Sequence, residues 1–257
     1  MYYTIHLLQT GYQYLDKGNY ATFRKGNGTI LEMPVFAFLL EGGGRKILVD
    51  TGMSDTAHSV RYHHDGRQDA GQAIDAQLNA IGVGCEEIDT ILFTHLHWDH
   101  CFHLNRFPNA ELYASRIEYE FAQNPIPFYW SSYEYPPATG LTPPFSGREF
   151  HLTEGETQVY EGIRIIPTPG HSPGHVSIAV DTAAGTYLIV GDLMFLRENL
   201  QPSVENGWPF TPPGRFCNIL EIWSSYETVL SLVKDTDFIL MTHGPSQISI
   251  SRLPNQI

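Results

Sequence analysis

Apolar residues fall in short runs along most of this chain, separated by glycine and proline. Residues 3–8, 35–40 and 46–50 read as extended segments, and Gly42-Gly43-Gly44 joins the last two as a hairpin turn does. Across residues 69–81, Ile74, Leu78 and Ile81 recur at helical spacing, with Gly82 and Gly84 as stop signals. A buried strand is predicted over 88–93, another over 111–114, and a short helix over 116–123. Further strands are predicted at 164–166, 176–180, 187–190 and 238–241. The clearest helix shows one apolar face through Ile219, Trp223, Tyr226, Leu230 and Val233. Strands alternating with helices and no internal repeat predict a single mixed α/β domain over residues 1–257.

Two segments break the pattern. Residues 125–145 hold six prolines and six aromatics, a density that excludes a long helix and a regular strand. Residues 201–214 are similarly rich in proline and glycine. Both are expected to be surface excursions, serving as lids or as contacts in a homodimer.

Composition narrows the function classes. With 42% hydrophobic residues the chain collapses into a core, which excludes disorder. Fifteen basic residues against 28 acidic ones give a net charge of −13, so no nucleic acid is expected as a partner. The longest apolar run, Val35-Phe36-Ala37-Phe38-Leu39-Leu40, falls well short of the roughly 20 residues that cross a membrane. No basic segment followed by an apolar stretch opens the chain, and Cys85, Cys101 and Cys217 form no disulfide framework, so a cytoplasmic location is expected. The abnormal count is 12 histidines.

Their placement points to metal chemistry. Thr94-His95-Leu96-His97-Trp98-Asp99-His100 sets three imidazoles and a carboxylate directly after an apolar strand. Imidazole nitrogen and carboxylate oxygen are the donors that borderline divalent metals prefer, and residues two apart on an extended segment point the same way. A turn after His97 would present Asp99 and His100 as a second pair, so two ions about 3.5–4 Å apart are the natural outcome. Other metal-capable side chains stand where predicted strands surface: His171 in Thr168-Pro169-Gly170-His171, Asp192 after Gly191, His243 after Thr242, and Asp50 in Asp50-Thr51-Gly52.

Taken together, HLHWDH with TPGHSPGH, VGD and THG downstream and LVDTG upstream resemble the metallo-β-lactamase fold superfamily, with the closest likeness to the quorum-quenching N-acyl-homoserine lactonases. The resemblance implies a four-layer αβ/βα sandwich with a dinuclear site at its edge. It implies that His95, His97 and His171 hold one ion, that Asp99, His100 and His243 hold the other, and that Asp192 bridges them. Asp50 would orient ligands from outside. The implied cofactors are two divalent ions, zinc first, with iron, manganese or cobalt as alternatives. The implied activity is hydrolysis of a lactone ester bond by a hydroxide held between the ions, with Asp99 and Asp192 handling its proton. Another small ester, thioester or lactone is the alternative substrate, and a non-catalytic metal-stabilised binding module the remote one.

Some positions depart from the family. The lactonases carry a tyrosine three residues after the bridging aspartate, where this chain has Phe195; Tyr129, Tyr133 and Tyr135 are candidates to supply the missing hydroxyl. Cys101-Phe102-His103 replaces the usual small residues, placing His103 in a packing or supporting position. Trp98 is a candidate wall of an acyl pocket. His175 is expected to brace its loop, and His6, His58, His63, His64 and His151 to be ordinary surface or interface residues.

Overall fold

The computed structural model describes residues 1–254. In chain order the strands are β1 (Thr4–Asp16), β2 (Ile30–Gly42), β3 (Arg45–Val49), β4 (Gly66–Arg67), β5 (Thr90–Leu92), β6 (Glu111–Ser115) and β7 (His151–Thr153). They continue as β8 (Thr157–Tyr160), β9 (Ile163–Pro167), β10 (Val176–Thr182), β11 (Gly185–Ile189), β12 (Ile239–Leu240) and β13 (Arg252–Leu253). The helices are α1 (Thr56–Tyr62), α2 (Ile74–Ala80), α3 (Trp98–Cys101), α4 (Arg116–Gln123), α5 (Pro136–Thr139) and α6 (Ile219–Leu232). One sheet runs β13-β1-β2-β3-β5-β6-β7 with β4 on β1, and the other runs β12-β11-β10-β9-β8.

Three apolar layers explain why these sheets stack. Ile5, Phe36, Phe38, Ile47 and Val49 of the first sheet meet Ile165, Ile178, Val180 and Ile189 of the second in one buried cluster. Alternate residues of the same strands, such as Ala37, Leu39 and Leu48, point outward and are covered by Ile74 and Leu78 of α2 and by Leu104 and Phe107. On the far side Ala179, Leu188 and Val190 are covered by Ile222, Tyr226 and Val229 of α6. Helix–sheet–sheet–helix is therefore the four-layer αβ/βα sandwich. Both sheets are buried on both faces, which is why their strands read as near-continuous apolar runs.

The first strand is longer than predicted. Past Gln9 the chain carries Gly11 at φ +151, and the register with β2 shifts between Gln9 and Gly11. Beyond this bulge Gln13 and Tyr14 are still paired with β2, although the alternation there is too polar to signal a strand. Within the 125–145 segment Tyr129, Tyr133 and Phe145 are buried in the cluster beneath the first sheet, while Ile126, Phe128 and Pro136 to Ala138 are exposed. Prolines open its two short helical turns, at Pro127–Tyr129 and Pro136–Thr139, where a missing N–H costs nothing. In the 201–214 segment, residues 203 and 208 form an isolated bridge, and Phe210 is buried against Trp223 and Tyr226.

Glu118, on α4, ties the two sheets together. Its buried carboxylate accepts from the N–H of Leu96 at 3.0 Å and the Tyr133 hydroxyl at 2.8 Å on one oxygen. The other oxygen accepts from the Ser172 hydroxyl at 2.6 Å and the N–H of Gly174 at 3.2 Å. Gly174 is required there, because a Cβ would fall 2.0 Å from the Glu118 nitrogen. Glu118→Gln replaces one acceptor by an amide donor aimed at two donors. It should lower unfolding stability by about 2–4 kcal/mol, read by denaturant titration of the metal-free protein; an unchanged midpoint would contradict this role.

Candidate metal centre

Every metal-capable side chain singled out above is delivered where a strand ends. After β5 come His95 and His97, and the turn α3 carries Asp99 and His100. His171 lies between β9 and β10, Asp192 follows β11, and His243 follows β12. All seven side chains are buried and brought together. Gly191 makes the turn into Asp192 at φ +51, where a Cβ would stand 2.6 Å from the His175 ring.

The side chains converge in two groups. Nδ1 of His97 faces Nε2 of His95 at 3.0 Å and Nε2 of His171 at 3.1 Å. Oδ2 of Asp99 stands 3.4 Å from Nε2 of His243 and 3.9 Å from that of His100. Asp192 reaches both groups, with Oδ2 3.4 Å from His171 and Oδ1 3.2 Å from His100 and 3.3 Å from His243. A ring nitrogen carries at most one proton, so Nδ1 of His97 cannot be satisfied by both neighbours, whereas one cation satisfies all three rings. Nε2 of His100 and Oδ1 of Asp192 are buried without a hydrogen-bond partner. Donors bound about 2.0 Å from one tetrahedral cation stand about 3.3 Å apart. The donor set and its spacing therefore fit a pair of divalent cations.

The outward ring nitrogens are tied down, which aims the inward ones. Nδ1–H of His100 donates to Asp50 at 2.8 Å, and Nδ1–H of His243 donates to the Pro34 carbonyl at 2.9 Å. Asp50 itself sits at φ +59 and accepts from both the N–H and the hydroxyl of Thr94, which in turn lies 3.2 Å from Nδ1 of His95. His175 accepts the N–H of Asp192 on Nε2 at 3.2 Å, and its Nδ1–H donates to the Thr168 carbonyl at 3.0 Å. It thereby braces the loop. His103 reaches the centre only through its backbone, its N–H donating to the Thr51 hydroxyl.

Charge divides the cluster. Burial first, then neighbouring imidazoles, hold His95 and His97 well below the ordinary histidine range. Burial likewise takes His171 down to about 4 and His175 to about 3. Burial opposes a proton on His100 and His243 too. There the carboxylates of Asp192 and Asp99 outweigh it, joined at His100 by Asp50, so His100 rises well above its usual value and His243 to about 9. Burial works against an ionised Asp192, but His243, His100 and His171 overcome it and hold the carboxyl well below its usual range.

A cavity of about 280 Å³ opens over this floor. Trp98 and Phe195 line it as anticipated, Phe195 lying flat on the His243 ring at 5.4 Å and 8°. The three candidate tyrosines do not line it. Tyr133 points inward to Glu118 with its ring 4.8 Å from His97, Tyr129 packs on Phe121, and the Tyr135 hydroxyl donates to Asn124. From that segment Phe128, Ser131 and Ser132 face the cavity instead. A tyrosine that does line it is Tyr20, whose hydroxyl lies 3.3 Å from Nε2 of His64.

Of the histidines expected at the surface or at an interface, His151 is exposed, whereas the His63 side chain is buried. His63 stacks on Trp98 at 4.0 Å and 2°, and His63 and His64 both line the cavity. His58 and His63 share the buried carboxylate of Glu134, pinning α1 to the proline-rich segment. Gln13 is a further residue the sequence did not reveal; its amide donates to Asp99 Oδ2 at 2.7 Å across 86 residues of chain. A lone glutamine past a bulge carries no sequence signal, and neither does a tyrosine in the π-turn Lys17–Ala21.

Comparison with known proteins agrees with this geometry. An N-acyl homoserine lactonase from a Bacillus species is 31% identical over 187 residues, covering 69% of this chain and 70% of the relative. The lactonase AttM of Rhizobium radiobacter is 29% identical over 192 residues, covering 68% and 70%. A variant of the B. thuringiensis lactonase AiiA, solved with N-decanoyl-L-homoserine at its active site, superposes with a TM-score of 0.78 at 25% identity, covering 96% of each chain. The model of the metallo-beta-lactamase superfamily matches residues 31–247, and the chain belongs to that superfamily.

Proposed function

We propose that this protein is a dinuclear-metal-dependent hydrolase that opens the ester bond of a lactone of the N-acyl-homoserine type. The observation that carries this reading is the convergence of His95, His97, His171, Asp99, His100 and His243 around Asp192 beneath an open cavity. Relatives about 30% identical bear the name N-acyl homoserine lactonase, which supports the substrate class. His95, His97 and His171 would hold one cation, Asp99, His100 and His243 the other, and Asp192 both. Zinc suits an all-nitrogen-and-oxygen donor set of this spacing. Three free thiols suit a reducing cytoplasm. No helix among the described residues is long and apolar enough to cross a membrane.

Two bound divalent cations supply positive charge that acidifies water and polarises an ester carbonyl. The chain supplies the rest. Asp99, oriented by the Gln13 amide, and Asp192 take the proton from the attacking water. Asp192 returns it to the alkoxide released when the ring opens. Burial pushes the Tyr20 phenol upward, so at neutral pH it keeps its proton and can donate a hydrogen bond to the carbonyl oxygen. Tyr20 thus supplies from the turn after β1 the hydroxyl absent at Phe195. The paired rings of Trp98 and His63 form a flat wall for the acyl portion.

Chelation should abolish turnover of N-hexanoyl-homoserine lactone, and the active protein should contain close to two ions per chain by elemental analysis; full activity at zero metal would refute the reading. Tyr20→Phe should lower kcat about 100-fold with metal content unchanged, whereas a loss traced to missing metal would place Tyr20 elsewhere. Because His243 rises to about 9 and His100 also rises, their Nε2 protons must leave as a cation binds. Apparent zinc affinity should therefore increase with pH up to about 9, with proton release seen calorimetrically in buffers of different ionisation enthalpy; pH-independent affinity would contradict this assignment.

A further inference from the structure

One group at the mouth of the cavity has no use in opening a neutral ring. Arg215 is the only lysine or arginine lining it. Among the described residues Arg215 forms no ion pair with a carboxylate, as six of the other ten arginines do. A guanidinium carries five N–H donors, and within the chain one of these is committed, from Nη2 to the Ser132 hydroxyl at 3.2 Å.

The side chain is nonetheless held in place. Its guanidinium lies 5.4 Å from the Phe128 ring and 5.3 Å from the Tyr129 ring, and its backbone N–H donates to the Tyr20 carbonyl at 3.1 Å. Ser132 in turn accepts the N–H of Trp98 on its carbonyl at 2.8 Å, so the fork is anchored to the motif that carries the metal-capable residues. Around it the cavity mixes polar groups, among them Tyr20, His64 and Ser131, with the apolar rings of Trp98 and Phe128, and the volume of about 280 Å³ is modest. A planar fork with free donors matches a carboxylate in two-point contact. In a chain of net charge −13 a lone cation at the cavity mouth also offsets the repulsion an anionic ligand meets on approach.

Building on the proposed lactonase reading, we infer that the natural substrate bears a carboxylate on its acyl portion, which Arg215 binds while the lactone lies over the histidine and aspartate floor. The test uses the metal-loaded full chain with N-succinyl-homoserine lactone and its neutral isostere, the terminal carboxamide. The wild type should favour the carboxylate at least about 30-fold in kcat/KM, chiefly through KM. Arg215→Gln should lower kcat/KM for the carboxylate about 30-fold more than for the carboxamide, and Arg215→Lys should recover part of the difference. No preference in the wild type, or equal losses on both substrates, would overturn the inference while leaving a lactonase standing. Should neither ring be opened, the lactone reading fails and calorimetry decides the anion site separately. Binding of ring-opened N-succinyl-homoserine that Arg215→Gln weakens more than tenfold relative to the carboxamide supports it, and equal binding by both proteins rejects it.

Discussion

Five imidazoles and two carboxylates lie buried within a few ångströms of one another at the sandwich edge, and the rest of the structure is arranged around the cost of keeping them there. Burial alone would neutralise every one of these groups. Instead the cluster splits, with His95, His97 and His171 held neutral and presenting lone pairs, and with Asp99 and Asp192 held ionised by His100 and His243. Such a set is costly as a protein interior and well suited as a cation cradle, because bound divalent charge replaces the protons that balance it.

Two carboxylates outside the cluster, Asp50 and Glu118, hold it in shape. Asp50 adopts a left-handed backbone conformation that costs an aspartate little, and spends its oxygens on Thr94 and His100. Glu118 accepts four hydrogen bonds from loops that belong to different sheets. Burial raises its pKa, and those hydrogen bonds oppose the rise. The two sheets are thus locked at the edge where the floor forms, which keeps the ring nitrogens within the narrow spacing a shared cation demands.

Above that floor the chain diverges in chemistry from what its motifs suggest. Phe195 packs on His243 and offers no hydrogen bond, while Tyr20, His64 and Arg215 also line the cavity. The proline-rich segment, packed into the core through Tyr133 and Phe145, turns Ser131 and Ser132 toward the cavity and carries Glu134 to the α1 histidines.

The parts of the fold that depend on local order were legible in the order of residues. Apolar runs marked most strands of both sheets and the α6 face, since alternation and helical spacing are properties of neighbours. The seven metal-capable side chains were legible because each follows a strand or sits within two residues of another ligand. Contacts between distant segments had no such signal: Gln13 on Asp99, Tyr20 beside His64, His58 and His63 on Glu134, and Arg215 on the cavity wall arise from the three-dimensional packing. The same holds for the three tyrosines of the proline-rich segment, whose rings face Phe121, His97 and Asn124. A side chain's direction there is set by which surface the loop packs against, and that surface exists only once both sheets have closed on each other.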